Sequence, residues 1–167
     1  MANLIRRLLR HLLTDRRALG RAFPPAALDA IEQRVSEAEQ GHGAEIRVAV
    51  EDSLGLGRVL AGTTARQRAL EVFGALRVWD TEANNGVLLY VLLADHAVEI
   101  VADRAAVRVV AEREWREIAN GLAARCARGD FVAGTIDAIA RIDALLAPHF
   151  PAGERNPDEL ANRPAVL

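Results

Sequence analysis

Apolar residues fall into two rhythms along this chain, and the changes between them mark out its elements. Leu4, Ile5, Leu8, Leu9, Leu12 and Leu13 recur at helical spacing with Arg6, Arg7, Arg10 and His11 between them, which predicts a basic amphipathic helix within residues 1–21. Phe23-Pro24-Pro25 opens a domain over residues 22–150, and the stripe Leu28, Ile31, Val35, Ala38 predicts a helix stopped by Gly41 and Gly43. Over residues 44–51 the period shortens to two: Ile46, Val48 and Val50 face one way, Glu45, Arg47 and Glu51 the other. That alternation predicts a strand with one face only partly covered. Residues 55–62 read as a loop. Thr64 and Gln67 then form a capping box, opening a helix that turns Ala69, Val72, Phe73 and Leu76 inward.

The unbroken apolar run over residues 87–93 has the length of a central strand. Asp95-His96 turns the chain into an antiparallel strand over residues 97–102. The preceding strand, helix, strand sequence makes a right-handed crossover and a parallel pair, so the sheet is mixed. A short helix follows over residues 105–110, then a longer one over 112–128 with Trp115, Ile118, Leu122 and Cys126 on one face. Asp130 is placed to cap the last helix, whose stripe Val132, Ile136, Ile139, Ile142, Leu146 ends at Pro148. The tail over residues 151–167 is polar and proline-punctuated, and reads as extended on the surface.

The most chemically suggestive segment lies just before the central strand. Asp80, Thr81, Glu82, Asn84 and Asn85 are five polar residues in the seven positions 80–86. Asp80, Glu82 and Asn84 alternate like the first ligands of a calcium loop, but Asn85 stands where an EF-hand needs Gly and Val91 where it needs Glu. What remains is a hard-cation site of carboxylate and amide oxygens, in a loop that suits calcium better than magnesium. The plainer alternative is that Asn84-Asn85-Gly86 only makes a turn, because Asn and Gly tolerate positive φ. Strand direction decides which acids meet. Asp103, at the end of the antiparallel strand, returns to the Asp80–Asn84 end, so Asp80, Asn84, Asn85 and Asp103 form the predicted metal cluster. Asp52, Asp95 and His96 form a weaker second cluster at the opposite end. His96 there is either a general base or, as is commoner for a His in a hairpin turn, simply solvated.

Composition narrows the chemistry further. All 21 basic residues are Arg, which rules out a lysine Schiff base or a P-loop lysine. The single Cys126 rules out an internal disulfide and a cysteine-built zinc cluster, and its place on a core stripe marks it as inert. A cysteine phosphatase would need Arg where Val132 stands, and neither a P-loop nor a nucleophile-elbow pattern occurs. His149 has no acidic neighbour in sequence. The net charge of −2 hides an asymmetry: residues 1–21 carry six Arg against Asp15, a net +5, leaving −7 for the remainder. An acidic body argues against nucleic acid as a partner.

Asn84-Asn85-Gly86-Val87-Leu88-Leu89, the hairpin Asp95-His96-Ala97-Val98-Glu99-Ile100, and Gly129-Asp130-Phe131-Val132-Ala133-Gly134 resemble the TPM domain, found in bacterial proteins and in a lumenal protein of plant thylakoids. The likeness covers residues 22–150. The tail patterns Asn156-Pro157-Asp158-Glu159-Leu160 and Arg163-Pro164-Ala165-Val166-Leu167 resemble a short bacterial subgroup. The resemblance implies a three-layer α/β/α sandwich, a divalent-cation site, and the phosphatase activity attributed to some members. Two departures stand out: His96 replaces the usual Arg, and Val78-Trp79-Asp80 replaces a Trp-Gly-Ile-Gly type approach. Both bear on ligand identity more than on fold.

Three functions follow as expectations: a binding module holding calcium, or magnesium, at Asp80, Asn84, Asn85 and Asp103; a metal-dependent phosphomonoesterase using the same cluster; or a scaffold without ligand. The N-terminal helix is too interrupted by charge for a secretory signal and too short to span a bilayer, which needs about 20 apolar residues. It is expected either to pack on this domain or a protein partner, or to attach to an anionic membrane surface. Cytoplasmic residence, with peripheral attachment at the inner membrane face, is the corresponding expectation.

Overall fold

The computed structural model describes residues 2–153 and 158–167, so Asn156 and Pro157 of the tail pattern lie outside the described residues. In chain order the elements are α1 (Ala2–Leu13), α2 (Arg16–Ala22), α3 (Pro25–Gly41), β1 (Ile46–Glu51), α4 (Leu56–Leu60), α5 (Ala65–Ala75), β2 (Val87–Leu92), β3 (Ala97–Ala102), α6 (Arg104–Val109), α7 (Glu112–Cys126), α8 (Phe131–Leu146) and β4 (Ala165–Val166). The sheet order is β3-β2-β1-β4, with β1 parallel to β2 and β4, and β3 antiparallel to β2. Ile46 pairs with Val87 and Ala102 pairs with Val87 from the other side, so the starts of β1 and β2 share a rim with the end of β3.

Helices cover both faces, giving an α/β/α sandwich. On one face Ile46, Val48, Val50, Leu89 and Val91 pack with Ile31 and Val35 of α3, Ile118 and Leu122 of α7, and Ile139 and Ile142 of α8. On the other, Ala49, Leu88, Tyr90 and Leu92 pack with Val59 of α4 and Ala69 and Val72 of α5. The alternation in β1 therefore does not mark a partly open face: Arg47 is half-buried and every other β1 residue is buried. Glu51 lies within that second layer because Arg68 grips it through both carboxylate oxygens and Tyr90 donates to it at 2.5 Å.

Several local readings change. The expected loop over residues 55–62 contains α4, and Asp15 starts a separate helix by accepting from Ala18 N at 2.9 Å. The Thr64–Gln67 capping box forms as expected. Asp130 occupies the N-cap position of α8 without capping it, since its carboxylate turns to Arg125 Nε at 2.8 Å. The tail ends by adding β4 to the free edge of β1. Among the described residues no helix is long and apolar enough to cross a membrane.

Candidate metal site

The rim where β1 and β2 begin and β3 ends is held by backbone hydrogen bonds between separate stretches. Asp103 N donates to Gly86 O at 2.8 Å, Ala105 N to Asn84 O at 2.9 Å, and Val87 N to Glu45 O at 2.8 Å. Asn84 takes φ +52°, the left-handed conformation that Asn accepts more readily than most residues. Gly86 is required for another reason: a Cβ there would sit 2.0 Å from the Val78 carbonyl oxygen. The 80–86 segment is thus folded tightly against the chain that leads into it. Of the residues predicted as one cluster, Asn84, Asn85 and Asp103 lie at this rim, while Asp80 comes earlier in the segment, its N donating to Arg77 O at 2.9 Å.

Their side chains play different parts. Asn85 is buried; its Nδ2 donates to Gly43 O at 2.6 Å, and its Oδ1 accepts from Thr81 Oγ1 at 3.2 Å. The Asn84 Oδ1 accepts from Arg104 Nη2, and Asp80 is exposed. Asp103 is the N-cap of α6, its Oδ1 accepting from Arg104 N at 2.7 Å. Its Oδ2 is buried with no hydrogen-bond partner among the described residues. A buried acceptor without a donor is costly unless something else approaches it.

Beside this loop lies a constellation that the sequence reading did not assemble. Oxygen atoms of Glu39, Glu45 and Asp158 all lie within 4.8 Å of one another. Glu39 comes from the end of α3 and accepts from Ile46 N at 2.8 Å; Glu45 precedes β1 and accepts from Leu160 N at 3.0 Å. The tail closes the group from above: Asp158 is exposed, and neighbouring Glu159 accepts from Glu82 N at 2.9 Å, tying the tail to the 80–86 loop. Burial, reinforced by Glu45 and Asp158, pushes the Glu39 carboxyl up to about 8 against the opposing Ile46 hydrogen bond. Burial likewise raises Glu45 despite the amides of Leu160 and Glu159. Three hard oxygen donors converging at such a point could hold a metal ion. Glu39 carried a signal, since it falls four residues after Val35 on the apolar stripe, where a carboxylate needs explaining. Glu45 carried only its place opposite Gly86 across the parallel pair, and Asp158 none.

The opposite rim behaves otherwise. Ala94 N donates to Asp52 O at 3.0 Å, so Asp52 and the hairpin do meet. The Asp95 carboxylate, however, turns away to α1: Arg7 Nε and Nη2 donate at 3.0 and 2.9 Å, Arg10 Nη2 at 3.2 Å, and His11 Nε2 lies 3.2 Å away. Burial would raise this carboxyl, but Arg7 and His11 outweigh it and hold it below its usual value. His96 is exposed at φ +48°, His149 is exposed, and Cys126 is buried with its thiol pushed up to about 11 by that burial.

A family model described as the TPM domain matches residues 20–145. Among solved structures, the NMR structure of BA42 protein from the psychrophilic bacterium Bizionia argentinensis is similar, with a TM-score of 0.74 and 29% sequence identity over 85% of this chain and 93% of that one. No curated protein matches.

Proposed function

This chain belongs to the TPM domain family, and on that premise we propose that it is a binding module holding one divalent cation at the amino-end rim of its sheet. The observation that carries the proposal is the convergence of Glu39, Glu45 and Asp158. Calcium fits better than magnesium, because it accepts irregular sets of six to eight oxygens at about 2.3–2.6 Å whereas magnesium demands octahedral geometry. Bound there, the cation would pin the tail and the 80–86 loop to the body, since Asp158 and Glu159 already link the two.

A second placement has an observation of its own. The unpartnered, buried Oδ2 of Asp103 favours the cluster Asp80, Asn84, Asn85 and Asp103, with Asp80 as its exposed arm. Thermal unfolding with calcium or magnesium separates the two. A cation at about 100 times its dissociation constant stabilises the native state by roughly 2.7 kcal/mol. The triad placement expects Glu45→Gln to abolish that shift and Asp80→Asn to leave it; the loop placement expects the reverse. No shift with either metal removes both. The phosphomonoesterase reading adds one requirement, metal-dependent hydrolysis of an aryl phosphate, with the cation supplying an activated water. Binding without hydrolysis leaves the module.

A further inference from the structure

The N-terminal helix α1 is docked on the body by its polar edge. Arg7, Arg10 and His11 close on Asp95, Arg7 Nη2 also donates to Thr63 O at 2.8 Å, and the buried His11 accepts from Leu54 N at 3.0 Å through Nδ1. Leu8 alone of the helix's large aliphatic side chains packs against the core. Leu4 stays exposed, and so do Ile5, Leu9, Leu12 and Leu13, at 52 to 78%. A helix docked only to shield its own leucines would lie the other way round, with the apolar stripe inward and the arginines in water. The Asp95 clamp therefore holds an apolar face outward.

That face continues onto the body. Leu56 and Leu60, one turn apart on α4, are exposed beside α1, and Leu12 and Leu56 line one groove. Charge indicates what covers it. Arg6, Arg10, Arg16, Arg17 and Arg21 are exposed around the patch, and Asp15, the sole acid of residues 1–21, is occupied capping α2. The rest of the chain carries −7, so the positive charge is concentrated at this one place. A second copy is a poor occupant, because a two-fold contact would set one +5 segment against another. A surface that takes leucines into an apolar layer and arginines onto anionic groups meets both demands.

We propose that α1, with Leu56 and Leu60, lies on an anionic lipid surface, and that the Asp95 clamp fixes the orientation in which the domain sits there. The test is flotation of the full chain with phosphatidylcholine vesicles, with and without phosphatidylserine, in a chelator so that the proposed cation plays no part. The chain is expected to float with phosphatidylserine vesicles and to stay behind with phosphatidylcholine alone. Arg6→Gln and Arg17→Gln should each weaken partitioning about fivefold. Leu9→Gln with Leu13→Gln should abolish flotation while leaving the melting temperature unchanged, since neither side chain is buried. Failure to float, or flotation indifferent to these substitutions, overturns the proposal. A dimer in solution that Leu9→Gln with Leu13→Gln disperses overturns it too, assigning the face to a second copy.

Discussion

The two rims of the sheet hold their acids in opposite ways. Where β1 and β2 end, guanidinium groups answer the carboxylates: Arg68 clasps Glu51, and Arg7 and Arg10 clasp Asp95. Where the same strands begin, Glu39 accepts from the backbone N–H of Ile46, Glu45 from that of Leu160 and Asp103 from that of Arg104. A carboxylate matched by a bidentate arginine is saturated and serves the fold. The acids of the amino-end rim are held by backbone amides instead, and Glu39 and Glu45 converge there with Asp158, where a metal ion could bind. The difference separates structural charge from charge available to a ligand, although both sets are buried to a similar degree.

The comparison breaks first at the saturated rim, where the largest effect is expected. Arg68→Met leaves Glu51 buried against the Tyr90 hydroxyl alone, and should cost about 3–5 kcal/mol in urea unfolding. A loss near zero would mean that Arg68 does not hold Glu51 in place, and the contrast between the rims would fail. Burial and Glu51 both raise the Tyr90 hydroxyl well above its ordinary range, so it remains a proton donor to that carboxylate throughout physiological pH.

A smaller effect belongs to Asp95. Asp95→Ala removes the acceptor shared by Arg7, Arg10 and His11, and should cost about 2 kcal/mol, in the range for hydrogen bonds to charged groups. The cost should fall locally: trypsin should cut after Arg7 and Arg10 faster while the sheet's hydrogen exchange stays slow. Uniform loosening of the whole chain would instead make α1 an integral part of the core.

Which parts were legible in the sequence follows the same division. The runs at Val87 and Ala97 and the stripes through Ile31, Ile118 and Ile139 are long and periodic, so strands, helices and strand directions could be read, and with them the rim that Asn84 and Asp103 share. Elements made by tertiary contact could not. β4 is two residues long and exists because β1 offers a free edge; α4 is five residues packed under α1. The triad was hidden for that reason, since its members come from a helix end, a strand approach and the tail, with more than a hundred residues between Glu45 and Asp158.

The last test lies at Glu39, where the sign of a pH dependence probes the amino-end rim directly. In the unfolded chain this carboxyl ionises near its ordinary value of 4.5; folded, burial keeps it protonated to about 8. Between those values the native state binds more protons than the unfolded one, so this residue's contribution to stability falls as pH rises through the window and levels off above it. Glu39→Gln should flatten that part of the stability profile, measured by urea unfolding at several pH values from about 5 to 8. Calcium competes with the same proton, so its affinity should climb across the window, approaching tenfold per pH unit where a single proton is displaced. A wild-type profile that is flat across this window, and that Glu39→Gln leaves unchanged, would mean Glu39 is ionised throughout and already matched by a positive group. The amino-end rim would then be as saturated as the other.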